Sequence, residues 1–146
     1  MSNVITVAVA DDHPVFRRGV TTLLSLEDDI EVLGSAADGS QVPDLLDKHD
    51  PDVLLLDLRM PGTNGLETLR NLKSKERRTR IILLTASEDQ DEYAEAVAQG
   101  ASGVLLKQAA SDNLAECIRS VAEGSIWLDS EALPLPDEEV SPVVNC

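Results

Sequence analysis

The sequence is poor in aromatic residues, in cysteines and in basic residues. Aromatic side chains make up 2% of the 146 residues, so leucine, valine, isoleucine and alanine must form most of the core. Cys117 and Cys146 are too few for a disulfide framework, and no Cys/His spacing predicts a zinc site. No apolar run approaches the roughly 20 residues that span a bilayer, and no basic stretch precedes the first run, as it would in a secretory signal. These absences predict a cytoplasmic protein with no membrane partner.

Basic residues are outnumbered by acidic ones. The chain has 12 lysines and arginines against 27 aspartates and glutamates, and its net charge is −15. A surface of this charge repels the phosphate backbone, so we expect no direct nucleic-acid binding by this chain. Its length suits one domain rather than two, and an apolar content of 42% is in the range of folded proteins.

Apolar runs alternate five times with amphipathic stretches along the chain. The runs that predict strands begin at Val4, Ile30, Val53, Ile81 and Val104. The stretches that follow them carry apolar residues at helical spacing, which predicts five helices. Right-handed crossovers then give an α/β fold, a doubly wound five-stranded parallel sheet with helices on both faces. We expect this domain to span 4–128. Residues 129–146, with three prolines and an acidic run, are expected to form a tail or linker.

Polar side chains end four of the five predicted strands: Asp11 and Asp12, Asp57, Thr85, and Lys107. The carboxyl ends of parallel strands lie along one edge of a sheet, so we expect one shallow pocket there. Three carboxylates repel one another unless a cation lies between them, and Mg²⁺ together with Lys107 would supply that charge. A carboxylate can also accept a phosphoryl group, and nearby cations would neutralise the oxygens of that group.

Each of these residues also has a structural explanation. Asp11 and Asp12 could cap the first helix, and Asp57 could form a loop. Thr85 could be an ordinary strand end, and Lys107 a surface lysine. These explanations do not account for the fact that all of these residues stand at the ends of predicted strands. We interpret the two histidines as non-catalytic, since the sequence pairs neither of them with a nucleophile: His13 and His49.

At these residues the sequence resembles the response-regulator receiver family, over about residues 4–128. The resemblance includes Asp11-Asp12, Asp57 with Met60-Pro61-Gly62 beyond it, Thr85-Ala86 and Lys107. The stretch from Ala10 to Gly19 is similar to the NarL/LuxR-type subfamily, whose receivers usually precede a helix-turn-helix DNA-binding domain. The resemblance implies a flavodoxin-like sheet with strand order 2-1-3-4-5. We expect no DNA-binding domain in this chain.

The resemblance also implies the role of each site residue. Asp57 would accept a phosphoryl group from a sensor histidine kinase, with Lys107 contacting that group and Thr85 reorienting toward it. Asp12, Asp57 and the backbone carbonyl of Arg59 would ligate Mg²⁺, with Asp11 acting directly or through water. The surface around the fourth helix, fifth strand and fifth helix would then change and could form a homodimer. Such a two-component switch regulates transcription; it is not an enzyme beyond slow self-dephosphorylation.

Two positions depart from the family pattern. The family commonly carries an aromatic residue three positions before the lysine, where this chain has Val104, and Gln108 stands where a proline often follows. Because of Val104, a degenerate receiver that acts as a phosphorylation-independent docking module is the alternative, although the presence of the site residues argues against it: Asp12, Asp57, Thr85 and Lys107. A haloacid-dehalogenase-type phosphatase would need a second aspartate where Arg59 stands. A flavodoxin-like FMN carrier would need a phosphate loop where Asp11-Asp12 would repel the phosphate.

Overall fold

The computed structural model of the chain describes residues 4–58, 65–74, 78–85, 90–107 and 110–128. Six parallel strands form one sheet in the order β2-β1-β3-β4-β5-β6. The strands are β1 (Ile5–Ala10), β2 (Ile30–Ala36), β3 (Val53–Asp57), β4 (Arg80–Thr85), β5 (Gly103–Leu106) and β6 (Trp127–Leu128). The helices are α1 (Pro14–Ser25), α2 (Val42–His49), α3 (Gly65–Ser74), α4 (Gln90–Ala98) and α5 (Ala110–Ala122). None of the helices in the described ranges is both long and apolar enough to span a membrane.

The predicted α/β fold and the strand order 2-1-3-4-5 are confirmed, and β6 is an addition that the sequence analysis did not predict. Gly124, at φ 103°, ends the turn after α5 and returns the chain toward β5. Trp127 then pairs with Gly103, where a Cβ atom would lie only 3.2 Å from the Trp127 carbonyl oxygen. A glycine in β5 therefore favours the close approach of the sixth strand, because a larger residue there would press on the Trp127 carbonyl.

The sheet is covered on both faces, which explains the nearly continuous apolar strands. Leu54 and Leu56 of β3 pack in the core layer that lies under α2, α3 and α4. Val53 and Leu55, which alternate with them, pack in the layer under α1 and α5. All four side chains are fully buried. Burial on both faces leaves polar residues of the central strand only at its ends, where Asp57 lies.

A carboxylate at the opposite end of the sheet joins β1 to the start of β3. Asp52 Oδ2 accepts hydrogen bonds from the Thr6 backbone nitrogen at 2.9 Å and the Thr6 hydroxyl at 3.1 Å. Arg78 Nη1 donates to Asp52 Oδ1 at 2.6 Å. Burial acts to raise the pKa of Asp52, but the hydrogen bonds from Arg78 and Thr6 outweigh it and hold the pKa below its usual value of 3.8.

Asp52→Asn is expected to lower the free energy of unfolding at pH 7 by about 1–3 kcal/mol, because it removes charge-assisted hydrogen bonds. The pKa of Asp52 is lowered on folding, so its stabilisation is present above the unfolded-state value of 3.8 and is lost as the pH falls through the folded-state pKa. Urea unfolding between pH 7 and pH 3 measures the difference between wild type and variant, which should narrow toward acid. Asp28→Asn removes an exposed carboxylate and is the control; a difference that stays constant with pH would contradict the assignment.

Candidate functional site

The carboxyl ends of β1, β3 and β5 bring the predicted charged residues together. Lys107 Nζ lies 2.9 Å from Asp11 Oδ2 and donates a hydrogen bond to Asp57 Oδ2 at 3.2 Å. Asp11 is fully buried, and the Asp57 side chain is 4% exposed. Asp12, the next residue after Asp11, is 32% exposed. Two buried carboxylates therefore contact a single ammonium group, and a partly exposed carboxylate lies beside them.

The strand register determines this convergence. Asp57, the last residue of β3, pairs with Leu84 of β4, while Ala10 of β1 pairs with Leu56. The Asp11 backbone nitrogen continues the ladder by donating to the Ala36 carbonyl at 3.0 Å. The polar residues that follow the apolar runs of these strands therefore lie at the same level of the sheet.

Thr85 ends β4 and is 2% exposed. It pairs in register with Leu106, the residue before Lys107, so it lies beside the site on the neighbouring strand. Arg59 and the Met60-Pro61-Gly62 motif, which were expected to complete the site, lie outside the described residues. The structure therefore places the predicted side chains at one edge and leaves the predicted carbonyl ligand undescribed.

Side chains of α1 support the lysine and the first aspartate. Lys107 Nζ lies 4.7 Å from the centroid of the Phe16 ring, within the range of a cation–π contact. Arg17 Nη1 donates to the Asp11 backbone carbonyl. The first turn of α1 therefore positions both partners of the shortest ion pair in the site.

The acidic oxygens fit a divalent cation. Asp11 Oδ2 and Asp12 Oδ1 are shielded from solvent and accept no hydrogen bond from the described residues. Lys107 supplies charge to Asp11 Oδ2 at 2.9 Å, but not a hydrogen bond of acceptable geometry. Buried carboxylate oxygens without donors are costly unless a cation compensates them, and carboxylates are the ligands that Mg²⁺ prefers.

His13 is the site residue that the sequence analysis missed. Its Nδ1 atom lies 3.0 Å from Asp11 Oδ1, 3.2 Å from Asp12 Oδ1 and 3.8 Å from Asp57 Oδ2. The sequence pairs His13 with no nucleophile because Asp57 comes from a strand that is distant in sequence, and the interpretation of His13 as non-catalytic stays a prediction. A histidine directly after two strand-end aspartates was the available signal. His49 ends α2 and packs against Gly34, whose added Cβ would lie 2.8 Å from His49 Nε2, so its position is structural.

Comparisons with known proteins agree with this geometry. The family model of the response regulator receiver domain matches residues 7–119. The nitrate/nitrite response regulator protein NarL of Escherichia coli K12 is 42% identical over 128 residues, which cover 88% of this chain and 59% of that protein. The transcriptional regulatory protein DegU of Brevibacillus brevis is 35% identical over 126 residues, covering 86% of this chain and 53% of that protein. The chain thus spans little more than half the length of these curated relatives.

Solved structures share the fold. The signal receiver domain of NarL from Mycobacterium tuberculosis superposes with a TM-score of 0.80 at 38% identity, covering 84% of this chain and 98% of that one. The isolated receiver domain of RcsB from Salmonella enterica serovar Typhimurium was solved with phosphomimetic BeF₃⁻. It superposes with a TM-score of 0.83 at 26% identity, and the match covers 89% of this chain and 96% of that one. The fold, the strand-end residues and these matches together show that the chain belongs to the response regulator receiver domain family, in its NarL-like branch.

Proposed function

We propose that this receiver is a phosphorylation switch in which Asp57 accepts a phosphoryl group from a sensor histidine kinase. The observation that carries the proposal is the placement of Asp57: its carboxylate is almost fully buried, is bonded to Lys107, and has two further carboxylates beside it. An Asp57 oxygen attacks the phosphorus, and the P–N bond to the kinase imidazole breaks with its electron pair going to nitrogen. Because the other ring nitrogen of that imidazole is protonated, the leaving group is a neutral imidazole. The product is an acyl phosphate on Asp57.

The surrounding residues position and neutralise the transferring group. Lys107 pairs with phosphoryl oxygens in place of its present carboxylate partners, and Thr85, one strand away, donates its hydroxyl to the product. Mg²⁺, when bound, would be held by Asp11, Asp12, Asp57 and the Arg59 carbonyl, and would supply positive charge to the phosphoryl oxygens. The cation–π contact with Phe16 helps to hold Lys107 near the reacting carboxylate.

Phosphorylation then changes the surface formed by α4, β5 and α5. Among the described side chains of α4, Tyr93 and the small Ala96 are buried, and Val97 is partly buried against the same core layer, so this helix has a small buried face that can be displaced. Val104 is fully buried and aliphatic, so the rearrangement proceeds without an aromatic residue at that position. The protein acts in the cytoplasm, pairs as a homodimer when phosphorylated, and controls a transcriptional output without binding nucleic acid through this chain. Its chemistry is that of a phosphoacceptor switch, not of an enzyme, with at most slow self-dephosphorylation.

Intact mass after incubation with acetyl phosphate and Mg²⁺ tests the assignment. Wild type should gain one phosphoryl group, whereas Asp57→Asn and wild type in excess chelator should gain none. The asparagine variant keeps the size of the side chain and removes only its nucleophilic charge. If wild type forms no adduct and does not bind beryllofluoride, the switch is wrong and the docking-module alternative takes its place.

A further inference from the structure

We propose that His13 is a nitrogen ligand of the metal site, and that the site therefore binds a borderline transition-metal ion such as Zn²⁺ more tightly than Mg²⁺. The inference rests on the metal site of the proposed function but not on phosphorylation itself. An imidazole ligand would shift the metal preference of a site that otherwise offers only oxygen atoms.

The donor atoms have the spacing of ligands that share one ion. Neighbouring ligands at bond lengths of about 2.1 Å lie about 3.0 Å apart in octahedral and about 3.4 Å apart in tetrahedral coordination. His13 Nδ1 lies 3.0 Å from Asp11 Oδ1 and 3.2 Å from Asp12 Oδ1. Asp57 Oδ2, at 3.8 Å from the same nitrogen, needs only a small movement to join them. One ligand atom from each of these four residues lies within 4.8 Å of the other three.

Lys107 and His13 lie at different oxygens of the Asp11 carboxylate. Lys107 Nζ contacts Asp11 Oδ2 and Asp57 Oδ2. His13 faces Asp11 Oδ1 and Asp12 Oδ1, and the latter oxygen is buried without a hydrogen bond. His13 Nδ1 therefore lies between an oxygen of a fully buried aspartate and a buried oxygen that accepts no hydrogen bond. An ion bound there would displace the 3.3 Å contact between Lys107 Nζ and His13 Nδ1 and leave the lysine its two carboxylates.

The backbone holds His13 in place, and the ring atom Nδ1 lies at hydrogen-bond distance, 3.0 Å, from Asp11 Oδ1, a contact that a bound ion would replace. The His13 backbone nitrogen donates to Asp11 Oδ1 at 2.7 Å, which ties the residue to the first aspartate. His13 is the N-cap of α1, but its side chain makes no capping hydrogen bond, and Pro14 starts the helix directly after it. The side chain is 64% exposed, so an ion can reach Nδ1 from solvent while Nε2 stays hydrated.

The mixture of donor types determines the metal preference. Mg²⁺ favours oxygen ligands only and keeps much of its hydration shell, whereas imidazole favours Zn²⁺, Ni²⁺ and Co²⁺. One nitrogen and three carboxylates are a suitable ligand set for a borderline divalent ion, and a weaker one for Mg²⁺ once the imidazole occupies a coordination position.

Competition with a chromogenic chelator for Zn²⁺, and calorimetric titration with Mg²⁺, measure the preference. Both use the full chain with Cys146→Ser, which removes a thiol that could bind Zn²⁺. The ratio of Zn²⁺ to Mg²⁺ affinity should fall at least about tenfold in His13→Ala, since losing a ligand costs at least as much as losing a supporting residue. His49→Ala, which removes the other histidine of the chain, is the matched control and should keep the wild-type ratio.

Nitrogen NMR of the imidazole with Zn²⁺ identifies the ligand atom, because metal on Nδ1 confines the ring proton to Nε2. An unchanged affinity ratio in His13→Ala, or a free His13 ring at saturating Zn²⁺, would overturn the inference. If either of these results is obtained and wild type still forms the Mg²⁺-dependent phosphoryl adduct, only the proposed metal preference is wrong. Absence of the adduct would instead count against the proposed function, whatever the Zn²⁺ result.

Discussion

Lys107→Gln is expected to destabilise the metal-free protein by about 3 kcal/mol, because removing one partner of a buried ion pair leaves its carboxylates uncompensated. Lys107 Nζ lies within 3.2 Å of both Asp11 and Asp57, and these two carboxylates are almost fully buried. The same change should slow phosphorylation by acetyl phosphate about 100-fold, since it removes a preorganised donor to the transferring group. Urea unfolding and the time course of the intact mass measure the two effects separately.

Metal dependence distinguishes loss of charge from simple loss of packing. Mg²⁺ should restore more stability to Lys107→Gln than it adds to wild type, because the ion replaces the missing positive charge among the carboxylates. Lys48→Gln removes an exposed lysine of α2 and should change neither stability nor its metal dependence by more than about 0.5 kcal/mol. Equal stability of Lys107→Gln and wild type without metal would mean that another group already neutralises Asp11 and Asp57.

Tyr93→Ala should cost about 3–5 kcal/mol of unfolding free energy, the usual range for truncating a buried aromatic side chain. Tyr93 is 1% exposed and is the only tyrosine of a chain with three aromatic residues. It packs in the same core layer as Val104 and Ala96, and it is the main anchor of α4. Urea unfolding gives the total cost, and native-state hydrogen exchange of the α4 amides shows where the protection is lost.

Tyr93→Phe keeps the ring in the core and serves as the control. Its cost should be no more than about 1 kcal/mol, the net contribution of a single hydrogen bond. If α4 amides stay as protected in Tyr93→Ala as in wild type, another contact anchors the helix. The proposal that phosphorylation displaces α4 would then lose its physical basis, because a firmly held helix resists a small change at the strand ends.

Sequence reasoning predicted the strands because burial on both faces leaves a strong local pattern. Val53 to Leu56 form an uninterrupted apolar run, and the polar residue that follows, Asp57, marks the edge of the sheet. The pattern could not predict β6, since two residues are too few for a periodic signal and their pairing is favoured by the glycine opposite them. It also missed His13, which reaches Asp57 only when β1 and β3 are aligned.

The sequence by itself determined the family, the α/β alternation and the set of charged residues at the strand ends, because hydrophobic periodicity and strand termination are local properties of the chain. Only the tertiary structure decided which of these charged groups contact one another. Lys107 lies at one oxygen of the Asp11 carboxylate and His13 lies at the other. That division depends on the register of three strands and on the first turn of α1, which come together only when the sheet is assembled and its two faces are buried.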